Sequence, residues 1–157
     1  MMRHFAVLAL AFSAIGLVAA VPASEEKKAE EKFSAKCPVS GADAKKEQAA
    51  KYKDHEVYFC CEKCKAAFEK DSTKFVAKAN HQLVETKQFV QVKCPLSGGP
   101  INKEQTVKVA GVDVAFCCDK CKGKTAEAKG DDQIAMVFGD DAFKKGFEAP
   151  KKDAEKK

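Results

Sequence analysis

All eight cysteines of this chain fall into two sets of four that share one spacing. Each set begins with a cysteine in a Cys-Pro-x-Ser-Gly segment and ends with three cysteines in a Phe-Cys-Cys-x-Lys-Cys segment. A shift of 57 residues places the first set on the second, and 15 of the 29 positions aligned between 37–65 and 94–122 are identical. The chain therefore carries two copies of one cysteine-anchored unit. The cysteines are Cys37, Cys60, Cys61, Cys64, Cys94, Cys117, Cys118 and Cys121.

Thiolates at this spacing predict a metal site in each copy. The pattern Cys37-x22-Cys60-x3-Cys64 brings a distant loop cysteine back to two cysteines near the start of a predicted helix. Backbone N–H groups and the positive helix end favour thiolate over thiol there. Three or four thiolates make a closed site, and as soft ligands they select zinc, copper(I) and heavier soft cations over calcium or magnesium. We expect one zinc or copper ion in each repeat.

The adjacent cysteines leave open which thiolates bind the ion. Neighbouring residues of an extended chain point in opposite directions, so we do not expect Cys60 and Cys61 to reach one ion easily. We favour Cys37, Cys60 and Cys64 as the core triad, with Cys61 as either a fourth ligand or a small buried residue. The corresponding triad of the second copy is Cys94, Cys117 and Cys121, with Cys118 in the place of Cys61.

Each copy predicts a β-hairpin in front of its last three cysteines. Alternating β-formers flank a turn at Lys53–His55 in the first copy and at Gly111 in the second. Within these strands, Val57 and Phe59 share one predicted face, as do Val114 and Phe116.

Helix formers follow each hairpin. They predict helices over 62–70 and 73–79 in the first copy, the second capped by Asp71-Ser72 with Phe75 and Val76 buried. In the second copy we expect a helix over about 119–129 that ends at Gly130, then one or two further helices that close the core. The predicted fold class is α+β, with two tandem treble-clef-like modules, each a hairpin followed by a short helix or helices.

The segments CPVSG and YFCCEKC, followed by a helix with Phe68, resemble the YHS/TRASH group of small metal-binding modules. The resemblance covers 37–76 and 94–122. It implies a treble-clef-like fold, the two cysteine triads as ligands, and a role in heavy-metal sensing, trafficking or resistance, or in metal-handling enzymes. Two features depart from the common pattern: Cys37 precedes Pro38 instead of following an Asp-Pro-Val triplet, and Cys61 doubles Cys60.

The N-terminus has the pattern of a secretory signal peptide. Arg3 precedes an apolar run, and small residues allow cleavage after Ala20 or Ala23. We expect an exported protein, periplasmic or secreted, with no stable membrane insertion after cleavage. The predicted organisation is a signal peptide (1–23), a charged linker (24–36), a first YHS/TRASH-like module (37–80), a connector (81–93), a second module (94–149) and a disordered tail (150–157).

Other uses of the cysteines stay open. In an oxidising compartment the eight thiols could form four disulfides, for example from Cys37 to Cys61 or Cys64, each stabilising the fold by about 3 kcal/mol. The Cys61-x2-Cys64 spacing also suits a thiol oxidoreductase, although no βαβ pattern surrounds it. His55 and His81 are expected to face solvent or cap a helix, because the counterpart of His55 is Val112 and His81 lies just past the first repeat, before an apolar run.

The sequence thus predicts an exported, non-enzymatic metal-binding protein for metal buffering, trafficking or detoxification. The alternatives are a disulfide- or zinc-stapled structural or interaction module and a periplasmic thiol-disulfide oxidoreductase. Expected partners are metal ions and, as a further option, another exported protein. Nucleic acid is not expected, because 28 basic and 23 acidic residues are mixed along the chain.

Overall fold

A computed structural model describes residues 33–150; the predicted signal peptide, most of the linker and the tail after Pro150 lie outside them. As predicted, the fold is α+β, with three two-stranded antiparallel sheets in the described residues. None of the helices there is long and apolar enough to cross a membrane. In chain order the elements are β1 (Lys45–Tyr52), β2 (His55–Phe59), α1 (Glu62–Lys70), a 3₁₀ turn (Ser72–Phe75), α2 (Val76–Glu85), β3 (Val90–Gln91), β4 (Asn102–Val109), β5 (Val112–Phe116), α3 (Asp119–Glu127), α4 (Gly130–Phe138), α5 (Asp140–Gly146) and β6 (Phe147–Glu148).

Both predicted hairpins form, and each has a two-residue turn. Lys53 and Asp54 have φ of 51° and 63°, while Ala110 and Gly111 have φ of 46° and 95°. Positive φ at both central residues is the type I′ geometry, whose twist matches that of the paired strands. His55 is therefore the first residue of β2 and not part of the turn.

The predicted apolar face of each hairpin packs into the core. Val57, Phe59, Val114 and Phe116 are all 0% exposed. The residues between them point to the opposite face of the hairpin and are more exposed, because successive side chains of a β-strand alternate between its two faces.

The predicted bounds of α1 agree with the structure, whereas the predicted bounds of the helix after it do not. The helix expected over 73–79 is a 3₁₀ turn followed by α2, which continues to Glu85 because buried Leu83 extends its inner face. Phe75 and Val76, predicted to be buried, are half-buried. Asp71 makes no side-chain cap on the helix.

In the second copy, α3 ends at Glu127, and Gly130 is the first residue of α4 instead of the end of the preceding helix. The two further C-terminal helices are present as α4 and α5.

The two copies join through the segments that follow their hairpins. Strands β3 and β6 pair so that Val90 lies opposite Glu148 and Gln91 opposite Phe147. A shift of 57 residues takes Val90 to Phe147 and Gln91 to Glu148. The two strands that pair are therefore equivalent segments of the two repeats. This self-complementary pairing is that of an isologous contact between two copies.

Helix α2 also packs against α4, so the two copies share one hydrophobic core. It runs through residue 80, where the sequence places the boundary between the first module and the connector. The largest fully buried apolar side chains come from both copies and from the connector: Phe59, Leu83, Phe116 and Phe138.

A buried glutamine fixes the outer edge of β2. The Gln82 side chain accepts a hydrogen bond from Tyr58 N at 2.7 Å and donates to Tyr58 O at 2.7 Å and to Lys36 O at 2.8 Å. It therefore ties the strand to the segment that leads into Cys37.

The second copy uses a different glutamine for the same backbone groups. Gln91 accepts from Ala115 N at 2.9 Å and donates to Ala115 O at 2.6 Å and Lys93 O at 3.1 Å. Ala115 and Lys93 are the counterparts of Tyr58 and Lys36, but the counterpart of Gln82 is Gly139. Both hairpin edges are thus closed by a side-chain amide in place of another strand.

Candidate metal centres

The first cysteine of each set lies in a tight turn that its own motif dictates. Cys37 N donates to Ala42 O at 2.7 Å, and Gly41 N donates to Cys37 O at 2.8 Å. Gly41 has φ of +73°, a conformation that glycine adopts without strain. Gly98 has the same φ, and its N–H donates to Cys94 O at 2.7 Å. The Cys-Pro-x-Ser-Gly segment thus buries each first cysteine and folds the chain around it.

The other three cysteines lie where the hairpin meets the helix. Cys60 follows β2, Cys61 is the N-cap residue of α1, and Cys64 lies in the first helical turn. Cys60 Sγ is 3.7 Å from Cys61 Sγ and 3.6 Å from Cys64 Sγ. The two adjacent thiols thus lie closer than the alternation of an extended chain predicts, because the chain turns from strand to helix between them. Cys61 nevertheless lies outside the group whose Sγ atoms are all within 4.8 Å of one another.

The second copy has the same junction. Cys117 Sγ lies 3.6 Å from Cys118 Sγ and 3.7 Å from Cys121 Sγ. Cys118 and Cys61 are both exposed, so the alternative that they are small buried residues is wrong.

The structure brings both favoured triads together. The Sγ atoms of Cys37, Cys60 and Cys64 all lie within 4.8 Å of one another. The same holds for Cys94, Cys117 and Cys121.

These distances fit a thiolate metal site. Sulfur atoms about 2.3 Å from a tetrahedral zinc ion lie about 3.8 Å apart, close to the separations between cysteines of the junction. Each triad can therefore hold one metal ion, and Cys61 and Cys118 lie beside the triads as candidate fourth ligands.

Hydrogen bonds prepare the first cysteine of each triad for ionisation. Burial has the largest influence on Cys37 and raises its pKa, but hydrogen bonds from the Ser40 side chain and from backbone groups of Ser40, Cys60 and Val39 lower it to about 7. The same balance lowers the pKa of Cys94 to about 7. The first cysteine of each site is therefore partly in the thiolate form near neutral pH, and the thiolate is the form that binds metal.

The helix cysteine of each triad behaves in the opposite way. Burial, followed by hydrogen bonds to neighbouring thiols, raises the pKa of Cys64 to about 12, and burial likewise raises that of Cys121 to about 12. The exposed Cys61 differs, because hydrogen bonds from the Cys64 backbone and from the thiols of Cys60 and Cys64 lower its pKa. A protein without metal therefore keeps a proton in each triad, which a bound cation would displace.

Sequence reasoning missed the contact of the serines with the thiols. Ser40 Oγ lies 3.2 Å from Cys60 Sγ, and Ser97 Oγ lies 3.1 Å from Cys117 Sγ. Hydrogen bonds of this kind orient metal ligands and tune their basicity. The signal available in the sequence was the identity of this serine in both copies.

The described histidines lie outside the triads. His81 is 6% exposed, its Nε2 lies 3.1 Å from Ala110 O, and its ring packs edge-on against Phe138. The prediction of a solvent-facing or capping role is therefore wrong for His81, and burial lowers its pKa. His55 packs edge-on against Phe89.

All eight cysteines are free thiols in this structure. The thiols of the junction, at 3.6 Å and 3.7 Å, stand well beyond the bonded S–S length of about 2.05 Å. Each set is thus a group of free thiols that converge without bonding to one another.

Compared with models of protein families, with curated proteins and with solved structures, the chain has no match. What the two cysteine clusters can do therefore follows from their own chemistry and surroundings.

Proposed function

We propose that this protein binds one soft metal ion in each cysteine triad and serves in metal buffering, trafficking or detoxification. The observation that carries the proposal is the duplicated triad, in which a loop cysteine and two junction cysteines converge within 4.8 Å in both copies. Free cysteines behave as small apolar residues and need no such convergence for packing. Three sulfur ligands favour zinc or copper(I) over harder cations.

The surroundings of the triads support a binding role over a purely structural role for the metal. The core contains Phe59, Leu83, Phe116 and Phe138, all 0% exposed and drawn from both copies and the connector. Such a core stabilises the fold without an ion, whereas small metal-dependent domains unfold when their metal ion is removed. Cys60 and Cys117 are half-buried, so an ion there stays within reach of solvent and competing ligands.

The proposal extends to where and how the protein acts. The basic start and apolar run of residues 1–23 support export to a periplasm or the exterior. In that oxidising setting, a bound metal ion protects thiols from disulfide formation. The cysteine pattern supports two YHS/TRASH-like, treble-clef-like modules. The protein acts as a binding protein with no catalytic step of its own.

Native mass spectrometry of protein purified from the export compartment, with thiol counting in the same sample, tests this proposal. We expect two metal ions per chain and free thiols after chelation. The circular dichroism spectrum should remain that of a folded protein once the ions are removed. A metal-free chain without free thiols, lighter by the hydrogens lost in four disulfides, would overturn it. Unfolding on chelation would instead assign the metal a structural role.

Matched variants assign each ion to its triad. Cys60→Ser and Cys117→Ser occupy equivalent positions, and each should reduce the bound metal from two ions to one. The double variant should bind none, because a serine hydroxyl is a poor substitute for a thiolate toward soft metals. Two ions retained in either single variant would contradict the assignment.

A further inference from the structure

A pocket of about 450 Å³ opens beside the second triad. Its walls combine one thiol of that triad with a serine, two apolar side chains and two lysines. The lining residues are Leu96, Ser97, Lys120, Cys121, Lys124 and Met136.

The pocket has a cationic rim and an apolar wall. Lys120 and Lys124 are exposed, and neither ammonium group forms an ion pair within residues 33–150. Leu96 and Met136 are half-buried and supply the apolar contact. A small organic anion with a short aliphatic body matches this combination of charge and surface.

The pocket also borders the second triad through one of its three cysteines. Cys121 lines it and belongs to the second triad. Three protein sulfurs leave the fourth position of a tetrahedral ion to another ligand. A thiol ligand in the pocket would lie beside Cys121 and compete with the exposed thiol of Cys118 for that fourth position.

The first repeat lacks the same surroundings. It keeps Lys63 at the position of Lys120, but Ala67 stands in place of Lys124 and the fully buried Ala79 in place of Met136. The second ammonium group and the thioether are thus features of the second site alone. This difference predicts distinct ligand chemistry at two otherwise matched triads.

We propose that this pocket binds a low-molecular-weight thiol that carries carboxylate groups. The proposal rests on metal binding at the second triad. The ligand's thiol would give its proton to water, and the resulting thiolate would bind the metal in place of the water molecule or Cys118 thiolate that fills the fourth position. Its carboxylates would contact Lys120 and Lys124, and no atom is oxidised or reduced. The second triad then exchanges its ion with dissolved metal–thiol complexes, while the first holds its ion with protein ligands.

The test uses the mature protein loaded with two zinc ions, with the zinc content confirmed first. Mercaptosuccinate, which has a thiol and two carboxylates, is titrated beside 2-mercaptoethanol and succinate and followed by native mass spectrometry. We expect one mercaptosuccinate per chain with both zinc ions retained. Its affinity should exceed that of either comparison compound by about tenfold, since it alone has both the thiol and the charges.

Lys124→Ala installs the residue of the first repeat and should weaken mercaptosuccinate binding about threefold, the effect of one exposed ion pair. Lys63→Ala, at the equivalent of Lys120 in the first repeat, is the matched control and should leave it unchanged. With cobalt in place of zinc, mercaptosuccinate should also change the visible spectrum of the Cys60→Ser variant but not that of Cys117→Ser.

Several results would overturn the thiol-ligand proposal while leaving metal binding intact. These are two bound zinc ions with no mercaptosuccinate adduct, equal binding of 2-mercaptoethanol, equal weakening by Lys63→Ala, or removal of zinc without an adduct. A chain that binds no zinc would overturn both proposals.

Discussion

The two repeats have site-forming elements of the same length and spacing, but the side chains that pack behind their helices differ. Strands β1 and β2 and helix α1 map onto β4, β5 and α3 by the same shift of 57 residues, without a change in length. Behind α1, Phe68 contacts Phe59, Tyr52 and Phe75, with ring centroids 5.2, 5.4 and 6.3 Å away. The equivalent residue of α3 is a buried threonine, Thr125.

The second repeat draws its aromatic packing from elsewhere. Phe143 stacks on Phe147 with centroids 5.3 Å apart and contacts Phe89, from the connector, at 4.8 Å. Phe138 contacts Phe147 at 5.4 Å. The comparison shows that the thiol geometry depends on the turn and the hairpin–helix junction, while the packing beneath the helix is free to change.

The largest expected difference between the repeats concerns Phe68 and Thr125. Phe68→Ala should lower the free energy of unfolding by about 4 kcal/mol, because it opens a cavity in an aromatic cluster. Thr125→Ala removes one hydrogen bond, from Oγ1 to Cys121 O at 3.0 Å, and should cost about 1 kcal/mol. Urea unfolding of the reduced, metal-free protein, followed by circular dichroism, measures both.

Phe68→Leu is the control for volume and should cost less than half as much as Phe68→Ala. Equal losses at Phe68 and Thr125 would mean that the two helices are supported alike, against the packing described above.

A smaller difference is expected between the two glutamines that close the hairpin edges. Gln82 is 0% exposed, so Gln82→Ala leaves Tyr58 N without a partner and should cost about 3 kcal/mol. Gln91 is half-buried, and water can replace its amide, so Gln91→Ala should cost about 1 kcal/mol. Urea unfolding again provides the measurement.

Methionine in place of Gln82 keeps the volume and removes the hydrogen bonds. If Gln82→Met were as stable as the unaltered protein, packing and not the amide would account for the loss in Gln82→Ala.

The smallest effects should be the most alike in the two repeats. Ser40→Ala removes the hydroxyl beside Cys60 Sγ and should weaken metal binding at the first triad about tenfold, as losses of outer hydrogen bonds do. Ser97→Ala should have the same effect at the second triad, where the Oγ–Sγ distance is nearly equal. Competition with a chromophoric chelator, in Cys117→Ser and Cys60→Ser backgrounds respectively, isolates each site.

Threonine retains the hydroxyl, so Ser40→Thr should keep most of the affinity. An effect confined to one repeat would show that the two serines are not equivalent despite their matching contacts.

Local sequence signals predicted the site-forming elements well. The two turns, the inward face marked by Phe59 and Phe116, and helix α1 all follow from patterns a few residues long. Because the two copies share these patterns, each prediction for one copy applied to the other as well. This is why both triads could be named before the fold was known.

Features that depend on contacts with distant parts of the chain could not be predicted from such short patterns. The helix expected to end near Ala79 continues to Glu85, because its inner face meets α4 of the other copy. His81 was expected near solvent, but contacts with Ala110 and Phe138 bury it. Such residues become predictable only once the partner element is placed.

The sequence by itself determined the duplicated unit, the hairpin–helix order and the cysteines of each triad, because these depend on spacing along the chain. Only the tertiary structure decided that Cys60 and Cys61 converge, since their directions depend on the turn from strand to helix. It also decided that Gln82 and Gln91, which the repeat does not relate, hold equivalent strand edges. A backbone N–H donates to any amide oxygen that the fold brings within reach, so the chain position of that partner is not fixed by the repeat.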